Sequence, residues 1–375
     1  GHRSRGSGPA ARHERNPSRG GNVVSSIAKP RVHHPGLRTN ALGLTRRDYE
    51  GSMSTLCAGC GHDSVTAALI QSFFELSIPP HRIAKLSGIG CSSKTPTYFV
   101  SQAHGFNSVH GRMPSIAAGA SAANRDLVYV GISGDGDSLS IGLGQFSHAI
   151  RRNVDMLYVL ENNGVYGLTK GQFSASADVG SEAKRGEVNR QRPIDPVLLA
   201  LSLGASFVAR SFSGDKEHLV PILQAGLRHR GFAFVDVISP CVTFNDHEAS
   251  TKSYRHTREH LTDLAPPDFV PLRTEIEARI DASGPTTVRM HDGSEVRFRA
   301  LAEGYDPTDR DTAYAHVRAV QERGEVPVGL FFLEADADRD MHADAATVSL
   351  PLVDVPYGDL CPGAAALDAL MDEMR

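Results

Sequence analysis

No stretch of this 375-residue chain reaches the ~18 consecutive apolar residues that a membrane-spanning helix needs, which excludes an integral helical membrane protein. Charge of one sign is also missing. A formal net charge of −4 with 22% charged residues describes an ordinary soluble protein, not a nucleic-acid binder or an acidic tail. No signal-peptide pattern of charged start, apolar middle and small-residue cleavage site is visible, and the five cysteines are an odd number. These absences lead us to expect a reducing, cytoplasmic compartment, where cysteines are more often metal-binding or catalytic than disulfide-bonded. Apolar patterning is absent from the first 47 residues, which carry many Arg, His, Ser, Gly and Pro and one acid, Glu14. We expect 1–47 to be a disordered basic tail outside the folded core, although an Arg-rich, acid-poor start also mimics an organelle transit peptide.

From about residue 62 amphipathic helices alternate with short β-branched runs. The pattern predicts helices over 64–76, 113–124, 138–153 and 217–230, and strands over 82–90, 127–134, 156–163 and 232–241. Continuous apolar strands separated by helices argue for an α/β fold with a doubly wound, mostly parallel sheet. After about residue 255 the style changes. "TVRMHDGSEVRFRAL" (287–301) reads as a hairpin turning at Asp292-Gly293. We expect 251–375 to be a C-terminal appendage, containing that β-hairpin and packing on the core or on a partner.

In an open parallel sheet, ligands bind beyond the carboxyl ends of strands, and "GISGDGDSLS" sits at such an end. Gly134 and Gly136 let the backbone approach a phosphate with no side chain in the way. A helix beginning near Ser138 offers unpaired N–H groups, and Asp135 a hard oxygen for a divalent cation. The next strand ends in "ENNGVYG", where the Asn163 amide oxygen and the Val165 carbonyl, with two phosphate oxygens and a water, would complete an octahedral Mg²⁺. Competing patterns fail. A dinucleotide GxGxxG counted from Gly134 would need Gly at 139, where Leu139 stands, and an EF-hand from Asp135 meets Ser140 at its sixth position. The acidic run Asp336, Asp338, Asp340 meets Met341 there and reads as a solvated loop.

GDG followed, 28 residues after its Asp, by the second Asn of an NN pair resembles the thiamine diphosphate motif. That resemblance implies the thiamine diphosphate-binding fold, with Asp135, Asn163 and the Val165 carbonyl holding Mg²⁺ and Gly136 and Asp137 meeting the diphosphate.

"CAGCGH" (57–62) alone suits a zinc ribbon, a redox dithiol or an iron–sulfur cluster. Cys91 and Cys241 each follow a predicted strand that opens on the face of Gly134, so four thiolates could converge: Cys57, Cys60, Cys91 and Cys241. Such a cage does not by itself separate zinc from a [4Fe–4S] cluster. The neighbouring cofactor does, because electrons released by thiamine chemistry on a 2-oxoacid need a one-electron acceptor, and zinc is not one.

With these residues the chain resembles the thiamine-binding β subunit of the 2-oxoacid:ferredoxin oxidoreductases, through CAGCGH, SGIGCSSK (87–94), HGR (110–112), GDGD (134–137), NNGVYGLTKGQ (162–172) and SPC (239–241), with EGYDPTDR (303–310) a weaker echo. The resemblance implies a domain over 48–250 that binds thiamine diphosphate, Mg²⁺ and, through the four cysteines, a [4Fe–4S] cluster. Cys361 has no counterpart. Ile89, Gly90 and Ser92 match the loop against the cofactor, and His110 a position near its diphosphate. Lys94 with Leu168, Thr169 and Lys170 resembles members that use 2-oxoglutarate, Lys94 facing the far carboxylate. Arg112 is a second candidate, equally readable as a surface residue. The implied reaction takes 2-oxoglutarate, CoA and oxidised ferredoxin to succinyl-CoA, CO₂ and reduced ferredoxin, or runs in reverse. Rivals are pyruvate or broad 2-oxoacid specificity, and a non-redox thiamine lyase with structural zinc. The glutamate that activates thiamine comes in this family from an α (or fused γα) subunit, so the site is expected at a subunit interface.

Overall fold

The computed structural model describes residues 36–183, 186–271, 287–289, 293–298, 304–334 and 340–375. In chain order the strands are β1 (Ile83–Ser87), β2 (His104–Asn107), β3 (Val128–Gly134), β4 (Met156–Asn162), β5 (Val165–Tyr166), β6 (Gln172–Phe173), β7 (Phe207–Phe212), β8 (Phe232–Ile238), β9 (Leu261–Ala265), β10 (Pro267–Val270), β11 (Thr287–Arg289), β12 (Glu295–Phe298) and β13 (Val326–Leu333). The helices are α1 (Gly61–Glu75), α2 (Met113–Ala123), α3 (Leu143–Arg151), α4 (Pro196–Leu203), α5 (Lys216–Arg228), α6 (Tyr254–His260), α7 (Arg310–Glu322), α8 (Met341–Asp344), α9 (Tyr357–Leu360) and α10 (Ala364–Glu373).

Eight strands form one sheet in the order β2-β1-β3-β4-β8-β7-β13-β9. The first six are parallel to one another, β13 runs antiparallel to β7, and β9 parallels β13. This is the mostly parallel α/β sheet that the apolar runs predicted. Every residue of β4 and β8 is buried, as a sheet covered on both faces requires. Phe146 of α3 packs edge-on against Tyr158 of β4 and Phe234 of β8, with ring centroids 5.3 and 5.1 Å away. Each such ring stabilises the core by roughly 1.5–3 kcal/mol through burial.

Strand order reverses at β1, whose chain neighbour β2 lies on one side and β3 on the other. The crevice at such a reversal is where open α/β sheets bind ligands. The loops after β1, β3, β4 and β8 carry Cys91, Asp135, Asn163 and Cys241, so the sheet brings together residues far apart in sequence.

Four expectations need amending. Residues 36–47 are tied to the core: Asn40 Nδ2 donates to the Tyr49 hydroxyl (2.9 Å) and the Phe74 carbonyl (3.1 Å), so of the expected tail 1–35 lies outside the described residues and 36–47 does not. The helix predicted over 138–153 starts two residues earlier and breaks in the middle. A wide turn, Gly136–Ile141, is closed by Gly142 N–H donating to the Asp137 carbonyl five residues back (2.8 Å), before α3 begins. A side chain at 142 would stand 2.5 Å from that carbonyl, which accounts for the glycine. The stretch after 250 is more than an appendage, since β9 and β13 complete the central sheet. Its hairpin strands β11 and β12 pair antiparallel and add to β10; Asp292 of the turn lies outside the described residues. Finally, Asp340 is not in a solvated loop. It is buried, caps α8 by accepting from Ala343 N–H (2.9 Å) and lies 3.5 Å from Arg230; Asp336 and Asp338 are outside the described residues.

Candidate active site

β3 ends at Gly134, and Asp135 follows in the helical region at the head of the wide turn. Its carboxylate is buried and accepts three hydrogen bonds on one oxygen, Oδ2: from Gly164 N–H (2.9 Å), Ser176 Oγ (2.5 Å) and Ser174 Oγ. Burial pushes its pKa up against those donors. A buried carboxylate with one oxygen held and no cationic partner in contact is a fitting ligand for a divalent cation. Asn163 Oδ1 accepts from Val165 N–H (3.0 Å), and its own carbonyl is held by Asn245 Nδ2 (2.7 Å). Asp135, Asn163 and Val165 line one cavity of about 90 Å³, with Ile89, Gly90, Cys91, Ser92, His110, Gly136, Asp137, Leu168 and Thr169 also on its wall.

Asp137 lines that cavity, but its carboxylate faces inward. Oδ1 accepts from Gly111 N–H (2.6 Å) and Ile89 N–H (3.2 Å) and lies 2.5 Å from His110 Nδ1. Oδ2 accepts from Ser133 Oγ (2.6 Å), which is linked through Ser138 to the Tyr158 hydroxyl in the core. The side chain thus fastens three loops, and only its backbone N–H remains for a phosphate, as repulsion between anions demands. At Gly136 the crowding is by Tyr166, whose ring would be 2.4 Å from an added Cβ and whose hydroxyl donates to the Gly136 carbonyl (3.1 Å).

The cysteines meet on one side of this cavity. Cys91 lines it, and the sulfurs of Cys91 and Cys241 both lie within 3.6 Å of where a Cβ on Gly167 would be. The Cys57–Cys60 turn is bound to the segment around Cys241: Gly61 N–H donates to the Pro240 carbonyl (3.3 Å), and Thr243 Oγ1 to Cys57 Sγ (3.3 Å). Burial pushes the Cys60 thiol up to about 12 and raises Cys91 and Cys241 as well, with the charge of Cys241 adding at Cys91 and that of Cys57 at Cys241. Buried thiols of this kind become thiolates when a cation is bound beside them. Among the described residues no three His, Cys, Asp or Glu side chains stand close enough as placed to share a single ion.

The family described as thiamine pyrophosphate enzyme, C-terminal TPP binding domain, matches residues 88–237, which include Asp135 and Asn163. The β subunit of a 2-oxoacid:ferredoxin oxidoreductase from Saccharolobus solfataricus is 41% identical over 211 residues, 56% of this chain and 68% of that protein. The chain belongs to the 2-oxoacid:ferredoxin oxidoreductase β subunits. A 2-oxoglutarate oxidoreductase subunit KorB from Mycobacterium tuberculosis is 43% identical over 192 residues, 51% of each chain. Among solved structures, a 2-oxoglutarate:ferredoxin oxidoreductase from Magnetococcus marinus, with 2-oxoglutarate, coenzyme A and succinyl-CoA bound, matches with a TM-score of 0.66 and 28% identity, over 81% of this chain and 89% of that one. This β subunit is therefore a thiamine-dependent oxidoreductase subunit, and a β subunit implies an α partner.

In this β subunit the predicted substrate residues divide. Leu168 and Thr169 line the cavity. Lys94, in the short turn Ser92–Thr97, stands off that wall and acts on Cys91, drawing its raised pKa back down after burial and Cys241 have lifted it. Lys170 is exposed at φ 82°, a turn conformation uncommon for lysine. Arg112 is exposed at the head of α2 and off the cavity wall. Cys361 is exposed in the C-terminal stretch.

Several residues went unweighed in the sequence. Tyr166 and His62 lie inside quoted motifs and line the cavity. Glu161 is fully buried beneath them, accepting from Thr95 Oγ1 (3.0 and 3.1 Å) and lying 3.5 Å from His62 Nδ1. Burial pushes Glu161 well above the usual carboxylate range and His62 down to about 4. Ser174 and Ser176 carry no local signal, because their partner Asp135 is far away in the chain.

Proposed function

We propose that this β subunit, joined to an α or fused γα subunit, converts 2-oxoglutarate, CoA and oxidised ferredoxin to succinyl-CoA, CO₂ and reduced ferredoxin, or runs the reverse carboxylation. The carrying observation is that Cys91, one of four neighbouring thiols, shares a cavity wall with Asp135 and Asn163. Thiamine diphosphate, when bound, supplies the chemistry that loosens the carboxylate next to a ketone, and a [4Fe–4S] cluster supplies a one-electron acceptor. Asp135, Asn163 and the Val165 carbonyl would hold Mg²⁺. The backbone at Gly136 and Asp137 would meet the diphosphate, close to His110, with Ile89, Gly90 and Ser92 against the cofactor. Cys57, Cys60, Cys91 and Cys241 would hold the cluster beside it.

The cavity of about 90 Å³ is far below the ~300–1,000 Å³ usual for a ligand site, which supports a site finished by the partner. Exposed apolar side chains near its mouth, Val109, Ile141 and Leu168, are of the kind an interface covers. The names of the Mycobacterium and Magnetococcus proteins favour 2-oxoglutarate, whereas that of the Saccharolobus relative specifies only a 2-oxoacid. Lys94, with Leu168, Thr169 and Lys170, and with Arg112 nearby in the family pattern, is our candidate for recognising the second carboxylate.

Anaerobic purification of the complex tests the redox reading. Brown protein whose broad visible absorption bleaches on reduction, with iron bound, is the expected result. A colourless protein carrying zinc would mean a thiamine lyase instead.

A further inference from the structure

Beyond Asp135 lies a second cavity, of about 350 Å³, for which the proposed reaction has no use. Along its wall runs a line of buried polar side chains leading back to Asp135. Ser176 Oγ is 2.5 Å from Asp135 Oδ2 and 2.8 Å from Asn162 Oδ1. Asn162 Nδ2 donates to Asp236 Oδ1 (3.0 Å), which orients the amide so that its oxygen faces Ser176. Asp236 Oδ2 accepts from Arg210 Nε (2.6 Å), and the far side of the guanidinium donates to Asp195 Oδ2 (2.7 Å). Gln321 Nε2, on α7, ends the line at the same Asp195 oxygen (2.6 Å).

A serine hydroxyl has one proton to donate. Ser176 stands between two acceptors, a carboxylate and an amide oxygen, and the shorter, charge-assisted bond goes to Asp135. Asp236, Arg210 and Asp195 are held by paired charges, and Ser176 is the hydroxyl where the line reaches Asp135. We propose that Ser176 is a positioning residue, joining the buried Asn162–Asp236–Arg210–Asp195–Gln321 relay to the Asp135 carboxylate and setting how tightly that carboxylate holds Mg²⁺. The inference rests on reading Asp135 as a cation ligand. Without the hydroxyl, Asp135 keeps only Ser174 and the Gly164 amide, and Asn162 Oδ1 faces no proton that it could share with the carboxylate. Outer partners of this sort are commonly worth about 10–100-fold in metal affinity.

The second cavity supplies the controls. Ser176 lines it, so an added methyl has room: Ser176→Thr keeps the hydroxyl, and Ser176→Val keeps that shape without it. In the assembled complex, thiamine diphosphate binding is followed by calorimetry or dialysis as Mg²⁺ is titrated, with no turnover needed. Ser176→Val should raise the Mg²⁺ concentration for half-saturation by about 10–100-fold, while Ser176→Thr stays near wild type. Ser176→Ala gives the same contrast if valine blocks assembly. Should the valine and threonine variants behave alike, the hydroxyl has no such part and the proposal is wrong. Asp135→Asn separates the two readings: it should abolish Mg²⁺-dependent binding, and if it binds as wild type does, the cation assignment itself falls.

Discussion

The two cavities on either side of Asp135 differ in a way that size alone would misjudge. The larger is lined by charges that answer one another, since Arg210 lies between Asp195 and Asp236. Burial would raise Asp195, but Arg210, the Leu198 amide and Gln321 outweigh it and hold it low, whereas Asp236, mid-strand, stays raised by burial in spite of Arg210. The smaller is lined by groups still short of partners, namely a carboxylate with one oxygen held, the Cys91 thiol raised by burial and a glycine-bordered turn. A hollow whose polar groups satisfy each other supports the fold, and one whose groups await a ligand invites chemistry.

Four substitutions would break or sharpen that contrast. Arg210→Met in the larger cavity should destabilise the protein by about 3–5 kcal/mol, because two buried carboxylates lose their counter-charge. Denaturant unfolding measures it, and a loss under 1 kcal/mol would show that the pairing is dispensable. Lys94, beside Cys91 but off the wall of the smaller cavity, should matter through substrate instead. Lys94→Ala in the complex should lower kcat/KM for 2-oxoglutarate by about 10–100-fold, the worth of one hydrogen bond to a charged group, and for pyruvate far less. Equal losses on both would remove its carboxylate contact. Gly136→Ala drives a Cβ to 2.4 Å from the Tyr166 ring and should cost about 1–3 kcal/mol of stability, relieved when Tyr166 is also truncated. Without that relief, the ring is not what demands glycine.

The smallest effect belongs to neither cavity. Asp155, at the opposite end of β4 from Asn162, accepts from Gly231 N–H (3.2 Å), and burial pushes it up to about 6. Its folded pKa exceeds the unfolded one, so the native state binds more protons. Stability from this group is full below about pH 4 and is lost as pH rises towards 6. Asp155→Asn should flatten that slope and add on the order of 1–2 kcal/mol at neutral pH; a slope unchanged in the variant would assign it to another group.

The parallel core was readable because strands covered on both faces must be apolar throughout, as "MLYVLEN" and "FAFVDVI" are. GDG with NN and the strand-end cysteines were readable because each motif is local and the sheet supplies the rest. Ser176, by contrast, meets Asp135 only through the fold, and nothing in its local sequence gives a hint of that. Asp137 has the same composition whether it faces a phosphate or three loops, and packing decided. The run "VPVGLFFL" is strand-like on its face, yet nothing near it says that it pairs with β7. Asp340 was misread for the same reason: a cap is visible only once its helix is.

That late strand has a consequence for how the protein is made. As the chain leaves the ribosome, the sheet through β8 can assemble while β7 still presents an unpaired edge, which only residues 326–333 will cover. Until then the nascent molecule is open to pairing with its neighbours. A chain stopped after residue 325 should therefore carry its site-forming loops yet collect in the insoluble fraction.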